Sequence, residues 1–107
     1  MFLIRWGFKK EMNREEILKT LKFIKQEAQD QYKAELKGIF GSCARGEQIH
    51  ESDVDVLVEF LPGATLFNLS GLGNFLEEKL NSKVDILSHR ALRKETKPYI
   101  YNDLIML

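Results

Sequence analysis

The chain has 107 residues, 44% hydrophobic and 30% charged, which suits one soluble domain and leaves little room for a second. Its 16 Lys and Arg balance 16 Asp and Glu, so the formal net charge is zero. That argues against a broad basic face, and nucleic acid is not expected as a direct ligand. A single cysteine, Cys43, excludes an internal disulfide and points to a reducing cytoplasm. No apolar run approaches the roughly 20 residues of a membrane span, so no membrane partner is expected. A chain this short buries a modest share of its surface, which favours a homo-oligomer or a partner protein.

Residues 1–12 are apolar and then basic, and Phe2-Leu3-Ile4 is too short for a signal-peptide core. We read this stretch as an N-terminal extension; Phe2, Trp6 and Phe8 would form a contact surface if the core does not cover them. The domain proper then runs over 13–107. Asn13 and Glu16 make a capping-box pattern. Ile17, Leu21, Ile24, Ala28 and Tyr32 recur at helical spacing opposite Lys19, Lys22, Lys25, Glu27 and Asp30. This predicts an amphipathic helix of about five turns packed on a sheet.

Leu36 to Phe40 reads as a first strand ending at Gly41, and Cys43 to Gln48 as a short helix. His50-Glu51-Ser52 is a polar connector. Asp53 to Phe60 reads as a second strand, broken by Pro62-Gly63. Thr65 can cap a helix with Leu66, Leu69, Leu72, Leu76 and Leu80 on its apolar side. Gly71 and Gly73 weaken that helix by up to about 1 kcal/mol each, which points to close packing there. Asn81-Ser82 ends it, and Lys83 to Leu87 reads as a third strand. Arg90 to Lys94 reads as a helical turn, and Pro98 opens a last helix through about Asp103. The order is that of an α/β fold built round a small sheet.

The chemistry-bearing residues lie between Gly41 and Asp85. Side chains alternate along a strand, so Asp53 and Asp55 share one face while Val54, Val56 and Val58 take the other. Paired carboxylates repel unless a cation or a shared proton relieves them, which suggests a hard divalent metal. Asp85 joins them if the third strand lies beside the second in the right register. Three carboxylates can hold two ions, an arrangement suited to in-line displacement at phosphorus. Gly41-Ser42, at a helix start, can bring backbone N–H groups and a hydroxyl to a phosphate, and Arg45 can add charge. For Ser42 the bland alternative is an N-cap, and for Arg45 a surface ion pair. Cys43 reads as a small filler rather than a redox centre. His50 and His89 lack partners at metal-ligand spacing, and Glu51 reads as a solvated loop residue. The cluster Arg90, Arg93, Lys94 and Lys97 reads as a solvated face.

Gly41-Ser42, ten intervening residues, Asp53-x-Asp55 and a later strand Asp85 resemble the DNA polymerase β superfamily of nucleotidyltransferases. The run Gly41-Ser42-Cys43-Ala44-Arg45-Gly46 with Ser52-Asp53-Val54-Asp55 is similar to its minimal, MNT-type members, the antitoxins that act beside HEPN-domain toxins. The resemblance implies a small mixed β-sheet flanked by helices, with Mg²⁺ (two ions) as cofactor and ATP as substrate. It implies transfer of AMP to a hydroxyl, a tyrosine of the HEPN toxin, which is thereby silenced. Gly41 and Ser42 would then bind the triphosphate, with Arg45 beside them. Asp53, Asp55 and Asp85 would be catalytic and hold metal, and Asp85 could help deprotonate the acceptor. No segment for a template follows, which argues against a polymerase. Two alternatives stand beside this reading: a non-catalytic antitoxin that neutralises by complex formation, and transfer to a small molecule.

Overall fold

The computed structural model describes residues 12–46 and 53–107. The first element is α1, Arg14–Tyr32, and both halves of its capping box form. Glu16 N donates to Asn13 Oδ1 at 2.8 Å, and Asn13 N donates to Glu16 Oε1 at 3.0 Å. Ile17, Leu21, Ile24 and Ala28 are all buried, so the helical spacing read from the sequence is the core-facing stripe. The helix ends at Lys33, in the left-handed conformation at φ 53°.

The chain then enters β1, Ala34–Phe40, followed by a one-turn α2, Gly41–Ala44, and β2, Val54–Phe60. After α3, Leu66–Leu80, come β3, Val84–Ser88, a 3₁₀ turn at His89–Ala91, α4, Lys97–Asp103, and β4, Ile105–Met106. The sheet order is β3-β2-β1-β4. β2 runs antiparallel to β1 and parallel to β3, so the sheet is mixed. The parallel step needs a crossover connection, and α3 supplies it.

Helices α1 and α3 pack against each other, and Val54, Val56 and Val58 share one core with them. Tyr32 packs its ring 5.2 Å from that of Phe75. A Cβ at Gly71 would stand 2.8 Å from Tyr32 Cε1, so this glycine is set by the α1–α3 contact. At Gly73 the nearest approach is an ordinary 3.9 Å, to Ile86, and the close packing expected there is absent. Helix α4 packs on α2 and β1, and β2 meets the 3₁₀ turn. Ile100 of α4 and Leu57 of β2 are buried apart from the main cluster.

Several sequence expectations shift. The short helix set at Cys43 to Gln48 begins earlier: Gly41 and Ser42 are its first residues, and Arg45 and Gly46 already leave it. Gly41 and Gly46 both take positive φ, 76° and 77°, and bracket this single turn. Residues 47–52 lie outside the described residues, as does the arm with Phe2, Trp6 and Phe8. Asp53 immediately precedes β2 rather than opening it. Leu66 and Leu69 are exposed, because the buried stripe of α3 is Leu72, Phe75, Leu76 and Leu80. The first turn, capped by Thr65, extends beyond that stripe. The helical turn placed at Arg90 to Lys94 is the 3₁₀ turn one residue earlier. The last strand, β4, had no signal of its own; it exists by pairing Ile105 with Ile39 and Met106 with Gly38.

Candidate functional site

Strand pairing decides the site. In the antiparallel β1–β2 ladder Phe40 stands opposite Asp55, and in the parallel β2–β3 ladder Asp55 stands opposite Asp85. One row across three strands therefore carries the approach to Gly41, then Asp55, then Asp85. The valines of β2 are fully buried on the other face, which fixes the face on which Asp55 must emerge. Asp53, half-buried, precedes the strand by one residue and lies close enough to raise the proton affinity of Asp55.

The electrostatics follow from this crowding. The Asp55 carboxyl is pushed up from 3.8 to about 6. Burial is the largest cause, followed by the charges of Asp85 and Asp53 and a hydrogen bond with Asp85; Arg45 opposes the shift. Among the described residues no group of three or more His, Cys, Asp or Glu side chains is placed to hold a metal ion, so the three-carboxylate cluster expected of Asp53, Asp55 and Asp85 is not formed. Asp55 and Asp85 instead share a hydrogen bond across the parallel pair. The donor set is of the type a hard divalent ion takes, carboxylate oxygens only, and crowded enough that ionising Asp55 is costly.

Gly41 closes the other side. With φ at 76° it occupies a region that glycine adopts without strain. A Cβ there would overlap the Asp55 carboxylate. The Gly-Ser bend is thus held against the acids by the absence of a side chain. Among the described residues no side chain caps the N–H groups at the start of α2, and Ser42 is half-buried beside them. A single turn carries little macrodipole, so anion affinity there rests on N–H groups and the Ser42 hydroxyl, not on a long helix.

Two contacts fix α2: one, from Arg14, had no signal in the sequence, and the other is the surface ion pair weighed for Arg45, whose partner the sequence did not name. Arg14, at the start of α1, donates from Nη1 to the Ala44 carbonyl at 2.9 Å and so ties down the end of the turn. Arg45 Nη1 bonds Asp103 Oδ2 at 2.6 Å, linking the turn to α4. The guanidinium expected near phosphate is thus in an ion pair, while its field still reaches Asp55. Cys43 is fully buried and its thiol is pushed up, first by burial and then by Asp55, which suits an inert filler.

Comparison with known proteins now decides the class. The model of the nucleotidyltransferase domain family matches residues 17–106. The chain belongs to this family. A "putative protein adenylyltransferase" of Methanocaldococcus jannaschii is 36% identical over 93 residues, 86% of this chain and 95% of that one. The protein adenylyltransferase MntA of Thermococcus cleftensis is 31% identical over 91 residues, 85% of this chain and 92% of that one. A solved structure described as a "putative minimal nucleotidyltransferase" superposes with a TM-score of 0.77 at 32% identity, covering 92% of this chain and all of that one. A toxin–antitoxin complex with AMP-PNP superposes at 0.63 over 89% of this chain and 72% of that one; at 23% identity it shares the fold. The mixed sheet of this nucleotidyltransferase is the fold that the motif resemblance implied.

Proposed function

We propose that this nucleotidyltransferase moves AMP from ATP to a hydroxyl of a partner protein, a tyrosine of a HEPN-domain toxin, and so acts as an antitoxin in the cytoplasm. The observation that carries the reading is the row Gly41, Asp55, Asp85, in which the Gly-Ser bend and two carboxylates lie side by side across three neighbouring strands. A protein acceptor is supported by relatives named as protein adenylyltransferases over most of their length. The toxin partner comes from the motif resemblance.

In this mechanism the Gly41-Ser42 backbone and the Ser42 hydroxyl hold the triphosphate, with Arg45 lending charge from its post on Asp103. Asp53, Asp55 and Asp85 are the residues that would hold Mg²⁺, which when bound would offset their repulsion and the charge at the reacting phosphorus. The acceptor oxygen forms a bond to the α-phosphorus while the bond to pyrophosphate breaks. Pyrophosphate leaves with the electron pair. Asp85, the most exposed of the three acids, takes the acceptor proton. Catalysis then comes from positioning and charge, as is usual for phosphoryl chemistry.

The test is incubation with labelled ATP, Mg²⁺ and the product of the neighbouring gene. Label is expected on that protein, and neither Asp53→Asn nor Asp55→Asn should transfer it while both remain folded. Failure to label under any divalent ion overturns the reading. Protection from the toxin by an Asp53→Asn/Asp55→Asn chain would instead establish neutralisation by complex formation.

A further inference from the structure

We infer that Tyr101 is itself an acceptor of the adenylyl group, modified in trans by a second copy of this chain, with His89 as its base. The inference rests on the adenylyl-transfer reading and concerns a pair of residues that reading does not use. Tyr101 Oη lies 2.6 Å from His89 Nε2, and the two rings are 6.2 Å apart at 60°. A free tyrosine gives up its proton near pH 10, so at neutral pH it is a poor nucleophile. An imidazole nitrogen in hydrogen-bond reach removes that handicap at the moment of attack. For His89 to do so, Nε2 must be the bare nitrogen and Nδ1 must carry the proton. Tyr101 is 41% exposed, so the residue lies at the surface where a second molecule can meet it. Tyr99 is more exposed, at 78%, but among the described residues its hydroxyl has no hydrogen bond to a base.

Position separates transfer in trans from transfer within one chain. β3 carries Asp85 into the site and reaches His89 four residues later, on the order of 10 Å further along the strand direction. Attack at phosphorus requires the oxygen within about 3–3.5 Å. Helix α4 is held by buried Ile100 and by the Arg45–Asp103 pair, and Tyr101 rests on His89, beyond the end of β3 and not beside Asp85 at its start. Another copy's acids have no such restriction. In the step, the bond from Tyr101 Oη to the α-phosphorus of ATP forms as the bond to pyrophosphate breaks. Pyrophosphate leaves with the electron pair, and the phenolic proton passes to His89 Nε2.

The experiment mixes two chains with labelled ATP and Mg²⁺: Asp53→Asn/Asp55→Asn, which keeps Tyr101, and an active Tyr101→Phe chain. Label is expected at Tyr101 of the inactive chain, located by peptide mass mapping, at a rate that rises with the concentration of either chain. Adding His89→Gln to the receiving chain should slow labelling about 100-fold, the lower end of what a positioned base contributes. The wild-type chain alone should label at Tyr101, and Tyr101→Phe alone should not, which covers the case of a poorly folded double variant. The inference is overturned if Tyr101 stays unlabelled, or another residue takes the label, while the same active chain labels the partner protein. If neither acceptor is labelled, the adenylyl-transfer reading fails as well.

Discussion

Replacing Asp55 by Asn should abolish transfer and yet make the metal-free protein more stable at neutral pH. Asp55 binds its proton more tightly folded than unfolded, because folding buries it and sets Asp85 and Asp53 beside it. Its folded pKa is therefore raised, and ionising it costs stability. No cost is incurred below about pH 3.8; it grows as pH rises towards about 6 and is complete above that. A displacement from 3.8 to about 6 corresponds to at most about 3 kcal/mol. Asp55 is only half-buried, and solvent screening reduces this to about 1–2 kcal/mol. Asn has the same shape, keeps a hydrogen bond to Asp85 and carries no charge. In EDTA at pH 7.5 the variant should melt about 4–16 °C higher than wild type, given about 4–8 °C per kcal/mol for a domain of this size. The gap should close at pH 4. Millimolar Mg²⁺ should raise the wild-type melting temperature and leave the variant's nearly unchanged. Thermal melts followed by circular dichroism at both pH values suffice. A variant that melts at or below wild type at pH 7.5, or a gap independent of pH, would refute the account of the crowded carboxylates.

Gly41→Ala should cost both activity and stability, since it strains a positive φ and drives a methyl into Asp55; loss of transfer together with about 1–3 kcal/mol in urea unfolding is expected. Asp103→Ala should release Arg45 and loosen α4 at a cost of about 1 kcal/mol or less, because the pair is partly exposed, and a double-mutant cycle with Arg45→Ala will measure their coupling. Asn13→Ala should cost about 1 kcal/mol through loss of the α1 cap, with transfer rates unchanged at temperatures where the protein stays folded. Gly71→Ala should destabilise despite alanine's higher helix propensity, because the added methyl meets Tyr32; a gain in melting temperature would mean that α1 and α3 separate at little cost.

The parts of this fold legible in the sequence were those with local causes. Asn13 and Glu16 mark a helix start by chemistry within four residues, and the Ile17 to Ala28 stripe marks its buried face. Asp53 and Asp55 could be placed together because they are two residues apart on an extended chain. Asp85 could be named but not located, since its position depends on a parallel register fixed by a crossover through α3. The two arginine contacts were beyond reach for a similar reason: they join residues 30 and 58 positions apart, and surface charges pair in too many ways for spacing to choose. β4 is two residues long, too short for any alternation, and exists only where β1 offers an open edge. Leu66 and Leu69 misled because a periodic pattern shows which side of a helix is apolar, not how far along its length the neighbouring layer extends.

Asp55 sits on an inner strand, with the approach to Gly41 on one side and Asp85 on the other set by backbone pairing. A slip of one position in either ladder would turn a carboxylate towards the valines or carry the bend past it. The molecule would still have helices and a sheet, yet no turnover. Turnover therefore reports correct strand alignment during folding, which bulk spectroscopy cannot see. For the same reason, insertions should be borne in the connections between strands and not within the three strands that carry the row.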